Sequence, residues 1–358
     1  IMENGFQWNL NGFEYRLFWN FTELTDEKGD FSRLHQHLDG KGVPDIRKAM
    51  IALRLQPVHQ AFEGLFTNAL IDELTHFVFH FKTNKQTKID TEKFASAFNQ
   101  FITKVESEFD VVLYHLLPTE NFLSDIQSLE KLYNYFTANE KELLKITSKP
   151  VFTPLLQTLT IDSSKNYVEN LHILYAYFIL RNIRTFSPGD VDPDEFIGQF
   201  ALELPLQQVF KMTGAGHNEV IRNINLVNNL VTYGPEIYSF ESIAQRSPQN
   251  TDPEALKTFL KNKATLALRL IEDEFVQELI GVNEYEGIRY FSKELFEDLS
   301  DWLLTLTLLH YFKTENLSNE QLWLLIKQSY DLWLLHRQLS VNAGYQLNKL
   351  RNFLSAGD

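Results

Sequence analysis

The residues able to do chemistry are few and scattered. His76 and His80 stand four apart in an apolar run that reads as helix, the spacing at which two imidazoles can hold a metal from one face. The third ligand and the glutamate of a metalloprotease helix are missing beside them. Their aromatic surroundings favour histidines bordering the core, with one ring nitrogen donating to a backbone or solvent acceptor. His35 and His37, two apart, point to different sides of a helix and read as surface residues. Met212-Thr213-Gly214-Ala215-Gly216 precedes a helix containing Asn218 to Leu230, and a glycine loop at a helix N-terminus can bind an anion. It has neither the preceding strand of a dinucleotide-binding turn nor the lysine of a P-loop, so the glycines are expected to end one helix and open the next. Glu272, Asp273 and Glu274 are consecutive and diverge on a helix. An inverting glycosidase needs an acid and a base roughly 6.5–9.5 Å apart, a distance that no spacing in sequence specifies. No serine sits in a nucleophile elbow and no histidine has an evident nucleophile neighbour, so acyl transfer has no support. No catalytic residue, metal or cofactor is assigned.

One stretch departs from helix, Gly281 to Phe291. Val282, Ile288, Tyr290 and Phe291 favour extended backbone and Gly287 permits a turn, which predicts a short hairpin or loop over the end of a helix pair. Read for binding, Tyr285 and Tyr290 can stack on sugar faces while Asn283, Glu284, Glu286 and Arg289 hydrogen-bond hydroxyls. Read for structure, the aromatics pack and the charges face water. The six polar and aromatic residues are the candidate ligand-binding set.

The rest of the chain must position that set, and nearly all of it reads as helix. Phe31 to Leu38 and Ile46 to Leu55 are short helices, and Val58 to Phe81 carries an apolar stripe predicting one helix about 36 Å long at roughly 1.5 Å per residue. Asp90 can cap a helix bearing Phe94, Phe98, Phe101, Val105 and Val112 that ends before Pro118. Further helices are expected from Glu120 to Leu144, Asn166 to Arg184, Glu254 to Ile280, Lys293 to Phe312, Ser318 to Arg337 and Val341 to Phe353. Ser318 and Gln321 have capping-box spacing. Ser187-Pro188-Gly189-Asp190 is the best break, followed by a cap and N1 proline at Asp192-Pro193. A second break spans Tyr233 to Asp252, ending in the same pairing at Asp252-Pro253. No repeat of fixed period is present.

Before these helices, Phe13 to Phe21 alternates as a strand does, with Tyr15, Leu17, Trp19 and Phe21 on one side. A lone strand leaves its ladder groups unpaired, so the chain is expected to derive from a larger polypeptide, cut near the last strand of a preceding β-domain. The expected fold class is all-α: a multi-helix, bundle-like domain over residues 26–358, open to subdivision near 187–190, preceded by a terminal strand within residues 1–25.

Composition sets limits on partners. The 358 residues include 29 Phe, 14 Tyr and 5 Trp, too much apolar surface for a disordered chain. A net charge of -14 and no basic cluster interleaved with aromatics argue against nucleic acid. With no cysteine there is no disulfide, thiolate nucleophile or Cys-ligated metal, and a cytoplasmic setting is expected. The longest apolar stretch, Trp302 to Phe312, is interrupted by His310 and falls well short of the roughly 20 residues that span a bilayer, so no membrane partner is expected.

Two stretches carry a resemblance: Tyr15-Arg16-Leu17-Phe18-Trp19-Asn20-Phe21-Thr22-Glu23-Leu24, and Gly281 through Leu299, ending Phe291-Ser292-Lys293-Glu294-Leu295-Phe296-Glu297-Asp298-Leu299. With Gly42-Val43-Pro44 and Leu53-Arg54-Leu55-Gln56-Pro57-Val58 they resemble the C-terminal part of large bacterial α-amylase family glycosyl hydrolases. In that family a TIM-barrel catalytic domain is followed by a β-domain, and some members carry a long helical extension. The family's nucleophile aspartate, acid glutamate and transition-state aspartate have no matching motifs here. The resemblance therefore implies a non-catalytic accessory module, whose partners are the catalytic and β-domains of the same polypeptide and α-glucan. Two other classes stay open: a stand-alone helical glycosidase or lyase with paired carboxylates, and a helical protein-interaction scaffold.

Overall fold

The computed structural model describes residues 11–15, 25–26, 29–81, 88–109, 116–139, 167–184, 198, 200–240, 253–313 and 317–355. The chain is all-α apart from one small hairpin among these residues, as expected, and divides into two compact units, residues 1–54 and 55–358. The expected break at 187–190 and the cap and N1 proline at Asp192-Pro193 lie outside the described residues.

In the first unit, helices α1 (Asp30–Leu38) and α2 (Ile46–Arg54) pack on each other. The Asp26 carboxylate accepts from the Phe31 and Ser32 amides at 3.1 and 2.9 Å and from the Ser32 hydroxyl at 2.7 Å, which closes the start of α1 and lowers the acid's pKa. His35 and His37 are exposed. The start of the expected strand is different: Asn11 to Glu14 form a turn in which Phe13 has φ 68°. The Asn-Gly pair just before it supplies turn chemistry that overrides the alternation. Residues 16–21 lie outside the described set.

The second unit opens with α3 (Gln56–Gly64) and α4 (Asn68–Phe81), which correct the single long helix expected there. After Gly64 the Leu65 and Phe66 amides donate to Phe62 and Glu63, three residues back, tightening the chain so that both side chains drop into the core. The Thr67 carbonyl then starts α4 by accepting from Leu70 and Ile71. Asp90 caps α5 (Thr91–Phe109) through the Glu92 amide, as expected. Helix α6 (Leu116–Ala138) begins earlier than expected, because Pro118 is tolerated in the first turn, where its missing N–H has no helical partner to lose. Helices α7 (Tyr167–Arg184), α8 (Glu203–Met212) and α9 (His217–Tyr233) follow, then a 3₁₀ turn at Gly234–Ile237.

Helix α10 (Pro253–Glu272) starts at the expected proline, but the helix expected to reach Ile280 stops at Glu272. Asp273 turns extended (φ -67°, ψ 126°) and caps a separate α11 (Glu274–Leu279), accepting from the Phe275 amide at 2.8 Å. After the hairpin come α12 (Lys293–Lys313), α13 (Asn319–Asn342) and α14 (Leu347–Ser355). The Ser318–Gln321 capping box forms as expected. Helix α13 runs on past Arg337 because Leu339 and Ser340 keep its inward row packed, and the turn to α14 comes at Gly344 and Tyr345, both at positive φ.

One continuous core fills the second unit. Its centre is aromatic: Phe98 and Phe122 stack at 4.3 Å between α5 and α6, and Tyr175 of α7 meets Phe66 and Phe94 edge-on at 5.2 and 5.8 Å. The Tyr175 hydroxyl is buried there without a hydrogen-bond partner among the described residues. A buried hydroxyl without a partner costs about 1–3 kcal/mol, so Tyr175→Phe should raise the unfolding free energy by about 1 kcal/mol or more in a urea melt. A loss of stability instead would mean that the hydroxyl is satisfied in solution.

Helix α12 lies across this core against α6, α13 and the 3₁₀ turn. Polar latches fix the segment after the turn. Thr307 donates to the Pro235 carbonyl, Ser329 donates to the Tyr238 carbonyl and accepts from Tyr311, and the Phe240 amide donates to the Tyr311 hydroxyl. No helix among the described residues is long and apolar enough to cross a membrane.

Candidate functional site

The expected hairpin is present and its turn explains its shape. Strands β1 (Asn283–Tyr285) and β2 (Ile288–Tyr290) pair antiparallel through Asn283–Tyr290, Glu284–Arg289 and Tyr285–Ile288. Glu286 and Gly287 form the two-residue loop with φ 50° and 76°. Positive φ at both positions is the mark of a type I′ turn, whose twist matches that of the strands, and glycine supplies it without a Cβ penalty.

The hairpin is tied down at its base. Gly281, at φ 67°, ends α11, and the Val282 amide reaches back five residues to the Gln277 carbonyl at 2.8 Å, a Schellman closure. The Ser292 amide donates to Ile280 at 2.9 Å and the Phe291 amide to Tyr345 at 3.0 Å. Phe291 packs on Phe296 and Tyr345, and Tyr290 bridges to Gln346 at the start of α14.

Because side chains alternate along a strand, the six candidate residues do not converge. Asn283, Tyr285, Ile288 and Tyr290 share one face; Glu284 and Arg289 share the other. The Arg289 guanidinium is hydrogen-bonded to the Gln277 side chain, whose amide in turn donates to the Ile271 carbonyl at 2.9 Å. It therefore holds the hairpin to α11. Glu286 sits at the tip. What remains together is an aromatic face: Tyr285, 66% exposed, beside half-buried Tyr290, with the Asn283 amide and the Ile288 side chain between and around them. Such a face can stack on the apolar side of a flat or ring-shaped ligand and hydrogen-bond its edge.

The glycine loop between α8 and α9 is structural, as expected. Gly214, at φ 85°, follows the end of α8, and the Glu219 carboxylate accepts from the Gly216 amide at 2.8 Å, so the start of α9 already holds an anion of its own. His76 and His80 lie on α4, with His76 exposed. Among the described residues no group of three His, Asp or Glu side chains is placed to hold a metal. The consecutive carboxylates have separate tasks: Asp273 caps α11 and accepts from the Tyr233 hydroxyl at 2.7 Å, while Glu272 pairs with Arg351 at 2.8 Å.

A second cluster had no signal in the sequence. Glu297 and Asp301 of α12 both pair with Arg337 of α13, at 2.5 and 3.6 Å, and the guanidinium lies 4.7 Å over the Trp333 ring. The Trp333 indole N–H donates to Asp301 at 3.0 Å. Burial raises the Asp301 pKa to about 7, against the opposing pull of Arg337 and the indole hydrogen bond, with Asp298 and Glu297 pushing it further up. A carboxyl titrating near neutrality has the acidity of a proton donor. Arg337 and Trp333 occupy the Asp301 oxygen that they share, however, and the cluster fastens α12 to α13. It is readable only in three dimensions, since a spacing of 36 residues from Asp301 to Arg337 matches no motif.

No protein-family model matches the chain, and neither a curated protein nor a solved structure matches it.

Proposed function

We propose that this chain is a non-catalytic C-terminal accessory module of a bacterial, cytoplasmic α-amylase-like glycosyl hydrolase. In this reading it packs on the catalytic and β-domains of the same polypeptide and holds α-glucan against the Tyr285 face of its hairpin. The observation that carries the glucan-binding part is the exposure of Tyr285 on a hairpin anchored by backbone hydrogen bonds at its base, by the packing of Phe291 and by the Arg289–Gln277 contact. A backbone already fixed loses little conformational freedom when a sugar ring stacks on Tyr285, so more of the contact energy remains as affinity. Asn283, on the same face, supplies the polar contact that a glucan hydroxyl needs.

Isothermal calorimetry with maltoheptaose tests the reading. Saturable heat is expected from the full chain. Tyr285→Ala should weaken binding by roughly tenfold or more, the scale of losing an aromatic anchor, whereas Glu284→Ala on the opposite face should change it by less than about twofold. Absence of saturable heat, or equal effects of the two substitutions, would remove glucan binding from the hairpin.

A further inference from the structure

A groove open to solvent, about 470 Å³ in volume, runs between α3 and α5 and is lined by Ala61, Ser96, Asn99, Gln100, Thr103 and Lys104. The five α5 residues recur at i, i+3, i+4, i+7 and i+8, so they form one row along the helix. Four are uncharged hydrogen-bonding side chains, and no carboxylate is among the described lining residues of a chain that carries 47.

Two of the four have their hydrogen-bonding roles fixed. The buried hydroxyl of Thr119, near the start of α6, donates to Asn99 Oδ1 at 2.6 Å, which leaves the Asn99 NH₂ as a donor. The Thr103 hydroxyl donates to the Asn99 carbonyl at 2.9 Å, which leaves its oxygen lone pairs as acceptors. A preset donor and a preset acceptor therefore stand one helical turn apart, flanked by the Ser96 hydroxyl and the Gln100 amide, each able to do both.

Neighbouring hydroxyl groups on one ligand both donate and accept, and they match such a row. Lys104 puts one cation at the end of the row, but an anion there would also face the Thr103 acceptor oxygen and approach through the field of a chain with net charge -14, while an apolar ligand would leave the row's polar atoms unpaired. We propose that this groove binds a neutral polyhydroxylated ligand, a polyol or a single sugar unit. The proposal is independent of the hairpin reading. The volume lies within the roughly 300–1,000 Å³ of small-molecule sites, and the openness of the groove sets the expected affinity in the millimolar range.

Ligand-observed saturation-transfer NMR with sorbitol and with maltose tests this on the full chain carrying Tyr285→Ala, which silences the hairpin. Saturable binding of at least one ligand is expected, and the two arms separate an open-chain polyol from a sugar ring. Added Asn99→Leu or Gln100→Leu, both at exposed positions, should weaken binding by about fivefold or more, and Thr119→Val, which frees the amide without touching the groove surface, by about twofold or more. Circular dichroism checks that each variant is folded. Saturable binding of neither ligand, or binding that all three substitutions leave unchanged, overturns the proposal.

Discussion

Asp125→Ala should lower the unfolding free energy by about 3 kcal/mol, the low end for breaking a buried pair, because Lys313 keeps 20% of its side chain exposed. The Asp125 side chain is 5% exposed on α6 and accepts from Lys313 of α12 at 2.8 Å and from Asn182 of α7 at 2.6 Å. It thereby joins three helices that share the core. Burial lowers the Lys313 pKa, the pairing with Asp125 opposes that shift, and Arg181 adds to it by like-charge repulsion. Without Asp125 the ammonium faces desolvation and Arg181 together. The double variant Asp125→Leu with Lys313→Met should recover most of the loss, because both charges then leave the interior. Arg351→Ala provides the contrast. Its pair with Glu272 has side chains 59% and 46% exposed, and removing it should cost no more than about 1 kcal/mol. Urea melts of the four proteins decide the matter: a cost for Asp125→Ala as small as that for Arg351→Ala would mean that water reaches Lys313.

The parts legible in the sequence are those whose signal is local. Asp90, Ser318 and Pro253 start helices where their capping or N1 chemistry predicts, and the Glu286-Gly287 turn places a hairpin where the extended residues flank it. Three of the helix-boundary failures have one physical origin, competition between a continuing apolar stripe and a local stop. Between Gly64 and Asn68 the stripe continues while the backbone breaks, because Leu65 and Phe66 reach the core better from a tightened turn. At Asp273 the stripe again continues, but the carboxylate captures the next amides and starts a new helix. In α13 the opposite happens, and packing of Leu339 and Ser340 carries the helix beyond its expected end.

The candidate site divides along the same line. Its position could be read, but its convergence could not, since only the register shows that Glu284 and Arg289 face away from Tyr285. The clusters of Asp125 and Asp301 left no trace, because their partners come from helices far apart in sequence and each residue alone is an ordinary polar position in a helix. Buried ion pairs require only that partners meet in space, whereas caps and turns require neighbours along the chain.

The contact between α12 and α13 carries two buried titrations whose effects on stability oppose each other. Burial raises Asp301 from 3.8 to about 7, so the folded state holds more protons than the unfolded chain between those values, and stability falls as pH rises through that window. The total is about 4 kcal/mol, from roughly three pKa units at about 1.4 kcal/mol each. Burial lowers His336 from 6.5 to about 4. The folded state then holds fewer protons than the unfolded chain between those values, and stability falls as pH drops through that window, by about 3 kcal/mol in total. His336 lies 5.4 Å from the Tyr238 ring, and the Asp301 charge acts on the same tyrosine, so both titrations report on one packed junction. Between about pH 4 and 6.5 the two slopes cancel, and each becomes visible when the other group is replaced. Relative to the unsubstituted chain, Asp301→Asn should gain about 1.4 kcal/mol of stability per unit of rising pH in that window, and His336→Gln should lose about as much. Subtracting the unsubstituted profile removes the background of the remaining carboxylates. Urea melts at intervals from about pH 4 to about pH 7.5 make the comparison; difference profiles that are flat for both variants would show that neither group titrates away from its ordinary range.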